Sequence, residues 1–197
     1  MIVLTETYRQ TRPTSCGPSC LLMAINYLHD GSIALNEQEE TRIHDEIGHR
    51  DLFMYTMPSS MCSYLLDRGF EVNYFFYDNV DEHDDLIDIC FAEDEKIRNA
   101  IEDHPRFHFH PGFFEIDTVK RELEQDRPGF APIMYADASG EIQLHWLLLT
   151  NTISNPDVSK YVFADPLDGM IKNSLPDELD RMMYLTGKVY ISTWEPV

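Results

Sequence analysis

Gln10-Thr11-Arg12-Pro13-Thr14-Ser15-Cys16-Gly17-Pro18-Ser19-Cys20 is the stretch on which the reading of this chain turns. A helix is expected to follow it over Ser19 to His29, because Leu21, Ala24, Ile25 and Leu28 recur at intervals of three and four before the stop at Asp30-Gly31. Cys16 then falls at the mouth of a helix, with Pro18 suited to its first turn. Unpaired N–H groups and the positive end of the helix dipole favour negative charge on sulfur there. Gly17 is expected to let a substrate carbonyl come close to the backbone. A cysteine near a helix start is more commonly a small apolar residue than a nucleophile, so the rest of the chain has to supply the chemistry.

A thiol nucleophile needs a base within hydrogen-bond reach, and the base needs a third group to hold its tautomer. His145 sits inside the apolar run Leu144-His145-Trp146-Leu147-Leu148-Leu149, where a titratable ring costs free energy unless it is satisfied. Asp165 ends the next expected strand, so a hairpin would bring it beside His145. Acyl transfer also calls for oxyanion donors. Gln10, six residues before Cys16 on a segment containing Pro13, can fold back towards the thiol to provide one.

Outward from these residues, helices are expected first and strands second. Asn36 with Glu39 resembles a capping box for a helix running towards Gly48. Another helix is expected from Pro58 to Gly69, and Asp117 is placed to cap a short one carrying Val119 and Leu123. Alternating Phe70, Val72, Tyr74 and Phe76 predict a strand, and Phe75, Phe76 and Tyr77 are read as strand residues. Beyond Pro128-Gly129, strands are expected over 131–136, 142–150, 161–164 and 188–192. The expected class is α+β, an N-terminal helical half (about 1–127) packed on a C-terminal antiparallel sheet (about 128–197), as one domain over 1–197.

The chain has 35 acidic and 15 basic side chains, a formal charge of −20. Lys and Arg are scattered singly, so nucleic acid and anionic membrane surfaces are excluded as expected partners. The segment from Asp78 to Asp103 holds eleven acidic residues, and it is read as a solvated helical face or an excursion within an insertion of about 78–110. His104, His108 and His110 cluster around Pro105 and Phe107 in a spacing that fits no standard zinc pattern, so they are read as a surface loop. His44 and His49 are expected in solvent. No metal or cofactor is expected. Cys20, Cys62 and Cys90 are expected to pack in the core. The absence of a basic leader or a long apolar span sets the expectation of a reduced, cytoplasmic protein. The oligomeric state is not readable.

Taken together, Gln10, Cys16-Gly17-Pro18, His145-Trp146-Leu147-Leu148-Leu149-Thr150 and Tyr161-Val162-Phe163-Ala164-Asp165-Pro166 resemble the motifs of the C39 and C39-like cysteine peptidases of the papain-like superfamily. The similarity runs from about Tyr8 to Gly169. It implies a papain-like fold and a peptide or protein substrate. It also implies Cys16 as nucleophile, His145 as general base, Asp165 as orienting carboxylate and Gln10 as oxyanion-hole residue. Acyl transfer to an amine at the same site and a catalytically inactive peptide-binding module stand as the alternatives.

Overall fold

The computed structural model describes residues 4, 6–47, 56–78, 85–136, 140, 142–154, 159–184 and 188–196. In chain order the elements are α1 (Cys16–Leu28), α2 (Glu37–Ile47), α3 (Pro58–Asp67), β1 (Glu71–Tyr77), α4 (Asp85–Ile101), β2 (Phe107–Pro111), α5 (Ile116–Glu124), β3 (Gly129–Ala136), β4 (Ile142–Ser154), β5 (Ser159–Asp165), β6 (Met170–Ser174), α6 (Pro176–Tyr184) and β7 (Lys188–Trp194). The fold is mixed α+β. Its described strands form one seven-stranded sheet in the order β2-β1-β7-β3-β4-β5-β6.

The sheet explains why β4 reads as an almost unbroken apolar run. Trp146 and Leu148 join Val189, Ile191 and Phe130 in the core beneath α1, α2 and α3. Leu147 and Leu149 point the other way, into a second core with Val119 and Leu123 of α5 and Leu179 and Met183 of α6. A strand covered on both faces has no polar face to show, so period-two alternation disappears from its sequence. At about 18 or more consecutive apolar positions such a run would suggest a membrane span; this one is far shorter, and among the described residues no helix is long and apolar enough to cross a membrane.

Two expectations about this sheet are corrected. It is not confined to residues after 128, because β1 pairs antiparallel with β7 (Val72 opposite Thr193) and so draws the earlier segment into the sheet. Nor is it purely antiparallel. β1 and β2 run parallel, with Val72 opposite Phe107 and Phe76 opposite Pro111. The reason is topological: parallel neighbours need a long crossover, and α4 supplies it. The acidic stretch is thus the crossover helix of a β-α-β unit. Its Asp94 is buried, accepting from Ser59 N (2.7 Å), Ser59 Oγ (2.8 Å) and Tyr74 Oη (3.1 Å), which pins α4 to the first turn of α3. Residues 79–84, with Asp81, Glu82 and Asp84 of the same stretch, lie outside the described residues, as does His49.

His108 and His110 are likewise on strand β2 and not in a loop. His108 Nε2 lies 3.1 Å from Glu71 Oε2 and His110 Nε2 lies 3.2 Å from Asn73 Oδ1, each across the parallel pair. His44 is half-buried on α2, against the expectation of a solvent position. Cys20 and Cys62 are in the core as expected, whereas Cys90 is only half-buried. The helix starts fare better. Asn36 Oδ1 accepts from Glu39 N (3.0 Å) at the start of α2. Asp117 is not a cap: the N-cap of α5 is Glu115, and Asp117 sits inside the first turn.

Candidate functional site

Cys16 is the first residue of α1, three positions earlier than the apolar periodicity alone implies. The N-terminal turn Cys16-Gly17-Pro18-Ser19 contains no acidic side chain, so the thiol is the one group there that can take up the charge the helix end favours. The site is closed in from below by packing. Gly17 is buried, and a Cβ built on it would fall 2.6 Å from Thr56 Cβ. The expectation that Gly17 leaves room for a substrate carbonyl is therefore corrected: the space belongs to the Thr56 side chain. Thr56 in turn accepts from Trp146 Nε1 through its carbonyl (3.1 Å), tying the Cys16 helix to the strand that carries His145.

His145 and Asp165 meet across the β4–β5 hairpin. The strand register sets Leu148 opposite Ala164; continued, it sets Leu147 opposite Asp165, so His145 is the diagonal neighbour two residues on. From there His145 Nε2 reaches Asp165 Oδ1 at 2.7 Å. Both residues are buried. With Nε2 committed to the carboxylate, Nδ1 is the ring nitrogen left to face Cys16, which lies close enough to raise the ring's hold on its proton. Tyr135 packs edge-on against the imidazole, with ring centroids 5.7 Å apart. Burial works to strip the proton from His145, but the bonds to Asp165 and then Cys16 outweigh it and push the ring up to about 9. At neutral pH the imidazole is consequently an imidazolium held between a carboxylate and a sulfur.

Asp165 is more heavily supported than its sequence context suggests. Oδ1 also accepts from Leu167 N (2.9 Å), and Oδ2 accepts from Lys172 Nζ (2.6 Å). Lys172 lies on β6, pairs at the same time with Asp168 Oδ2 (2.7 Å), and is absent from the residues the sequence singles out. Burial would raise the Asp165 carboxyl, yet the bonds from His145, Lys172 and Leu167 prevail and hold it well below the usual carboxylate range. What marks Lys172 is the strand pairing. Asp165 opposes Met170 in the β5–β6 hairpin, so residues 170 and 172 share its face.

Gln10 is brought to the same corner by its backbone. Its N–H donates to Pro166 O at 2.7 Å, one residue beyond Asp165, and Thr7 Oγ1 donates to Gly169 O at 2.6 Å. Its side-chain amide, however, turns onto its own loop, donating to Arg12 O (2.8 Å) and Pro13 O (3.3 Å), with Oε1 buried and unpartnered. Cys16, His145 and Asp165 are thus assembled directly. Gln10 is placed alongside them, with its amide hydrogens engaged in the turn. Cys20, one helical turn beyond Cys16, donates to Trp146 O at 3.5 Å. Its thiol is pushed well above the ordinary value by burial first, then by the neighbouring charges of Cys16 and Asp165. It stays a neutral packing group. Among the described residues no three His, Cys, Asp or Glu side chains gather as a metal site would require.

Compared with protein-family models and with curated proteins, the chain matches none.

Proposed function

We propose that the chain is a papain-like, C39-like cysteine peptidase that cleaves an amide bond of a peptide or protein through an acyl-enzyme on Cys16. The observation that carries this reading is the buried 2.7 Å bond from His145 Nε2 to Asp165 Oδ1, with Cys16 beside the same imidazole. That order of groups is the one a thiol nucleophile requires: base beside sulfur, carboxylate behind base. A structural ion pair needs no sulfur at a helix N-terminus on its far side.

In the proposed reaction Cys16 Sγ attacks the carbonyl carbon of the scissile amide, and its electron pair becomes the new S–C bond. The oxygen gains the charge, which the Cys16 backbone N–H and the Gln10 amide receive once that amide is released from Pro13 O. His145 Nδ1–H then passes its proton to the amide nitrogen, the C–N bond breaks, and the amine leaves. Water, deprotonated by the now neutral His145, attacks the thioester carbonyl; the S–C bond breaks and an acid is released. Asp165 keeps the ring in the required orientation throughout and stabilises each imidazolium. Lys172 holds Asp165.

The test compares peptides from a cell lysate incubated with the protein and with Cys16→Ala. New chain ends should appear with the first and not with the second. Identical peptide sets from both proteins across a broad lysate would refute the proposal.

A further inference from the structure

Glu40 stands in the first turn of α2 among Glu37 and Glu39, where it reads as one more surface acid. It is instead completely buried. Its two oxygens accept from Tyr8 Oη (2.8 Å), from Thr11 N (3.0 and 3.1 Å), from Thr11 Oγ1 (2.5 Å), from Ser15 Oγ and from Ser19 Oγ (3.2 Å). Among the described residues no lysine or arginine pairs with it. Burial pushes the Glu40 carboxyl up, but the donors from Ser15, Thr11 and Tyr8 outweigh burial and hold it below the usual range. It is a buried anion sustained wholly by neutral hydrogen-bond donors.

All of those donors belong to residues 8–19. Residues 8–15 of that stretch carry no helix or strand, yet they must set two functional groups at a fixed separation. Thr11 is the neighbour of Gln10, and Ser15 is the neighbour of Cys16. Ser15 is also the N-cap of α1; its side chain makes no cap bond, and its hydroxyl donates to Glu40. A carboxylate suits this task because it accepts at about four lone-pair positions and donates none. An amide in its place would turn an NH2 group towards some of the same donors.

We infer that Glu40 is a positioning residue of the Cys16 site, its carboxylate clamping Tyr8, Thr11, Ser15 and Ser19 so that the Cys16 thiol stays on His145 and Gln10 stays beside it. The inference rests on the catalytic reading of Cys16. It assigns Glu40 no contact with substrate.

The experiment measures the rate of iodoacetamide alkylation at each cysteine against pH, in wild type, Glu40→Gln, Glu40→Ala, Thr11→Val and Ser15→Ala. The full-length chain is used, and near-ultraviolet circular dichroism checks the fold. Misplacing a reacting group by about 1 Å costs on the order of a hundredfold, so Glu40→Gln should slow Cys16 by roughly ten- to a hundredfold and Glu40→Ala further. Thr11→Val and Ser15→Ala should give smaller losses, and the Cys90 rate should not move.

Repeating each substitution in a His145→Ala background supplies the readout that a purely structural role would leave alone. Where Glu40 acts by aligning Cys16 with His145, the loss seen with Glu40→Gln disappears once His145 is gone. An unchanged Cys16 rate in folded variants, or the same loss with and without His145, overturns the inference. If Glu40→Gln and Glu40→Ala do not fold, Thr11→Val and Ser15→Ala decide by the same criteria. If wild-type Cys16 reacts no faster than Cys90, the catalytic reading falls and takes this inference with it.

Discussion

Replacing Asp165 by Asn tests the electrostatics of the site with little change of shape. The amide oxygen still accepts from His145 Nε2, while the charge is gone. In the native protein His145 is held up at about 9 against an ordinary 6.5: burial opposes this, and the bonds to Asp165 first and Cys16 second outweigh burial. At about 1.4 kcal/mol per pH unit, the gap amounts to about 3 kcal/mol of preference for imidazolium in the folded chain. The folded value is the higher one. This contribution is therefore complete below about pH 6.5, is lost progressively as the pH rises, and is gone above about pH 9.

Asp165 supplies the larger favourable share, so in Asp165→Asn the His145 ring should titrate roughly one to two pH units lower, and the stability difference from wild type should narrow by about 2 kcal/mol between pH 6 and 9. Nuclear magnetic resonance of the histidine ring carbons follows the titration, and urea unfolding at several pH values follows the stability. A wild-type His145 midpoint near 6.5, or the same midpoint in both proteins, would refute the reasoning.

Other perturbations separate the site from its scaffold. Lys172→Met removes the cation that competes with His145 for Asp165, so the His145 midpoint should rise; because the lysine side chain is 40% exposed, stability should fall by less than about 1 kcal/mol. Asp94→Ala strands Ser59 N, Ser59 Oγ and Tyr74 Oη without their acceptor, and urea unfolding should show a loss of about 2–3 kcal/mol with Cys16 alkylation unchanged. Gly17→Ala puts a methyl group 2.6 Å from Thr56 Cβ and should cost about 1–3 kcal/mol by the same assay while also slowing Cys16, since Gly17 is its neighbour.

The part of the site that could be read from sequence is the part built on strong local signals. His145 stands out because a titratable ring interrupts an apolar strand, and Asp165 stands out because it meets a turn-forming proline at a strand end. The β4–β5 hairpin does the rest, and nothing more distant is needed to bring the two together. Lys172 was hidden because β6, Met170-Ile171-Lys172-Asn173-Ser174, is a short edge strand with no alternation to mark it. The α6 start that follows carries its own local signal: Pro176 opens the helix, and Glu178 reaches back to accept from Leu175 N at 3.1 Å.

Glu40 was hidden for a different reason. Its neighbours Glu37 and Glu39 are ordinary first-turn acids, and only the tertiary docking of residues 8–19 onto α2 distinguishes it. The parallel β1–β2 pair failed for a third reason. Phe107-His108-Phe109-His110 alternates as a strand should, but three histidines around a proline carried a loop reading that the pattern alone does not overturn.

The most direct measurement is the site of alkylation when the native protein meets substoichiometric iodoacetamide at pH 6, read by peptide mass spectrometry. Exposure alone would direct the label to half-buried Cys90 ahead of Cys16, which is only 6% exposed. A thiol paired with the His145 imidazolium should reverse that order. Cys16 should be labelled first, and His145→Ala should abolish its lead. Labelling of Cys90 ahead of Cys16, or a Cys16 rate indifferent to His145→Ala, would contradict the assignment of Cys16 as the nucleophile.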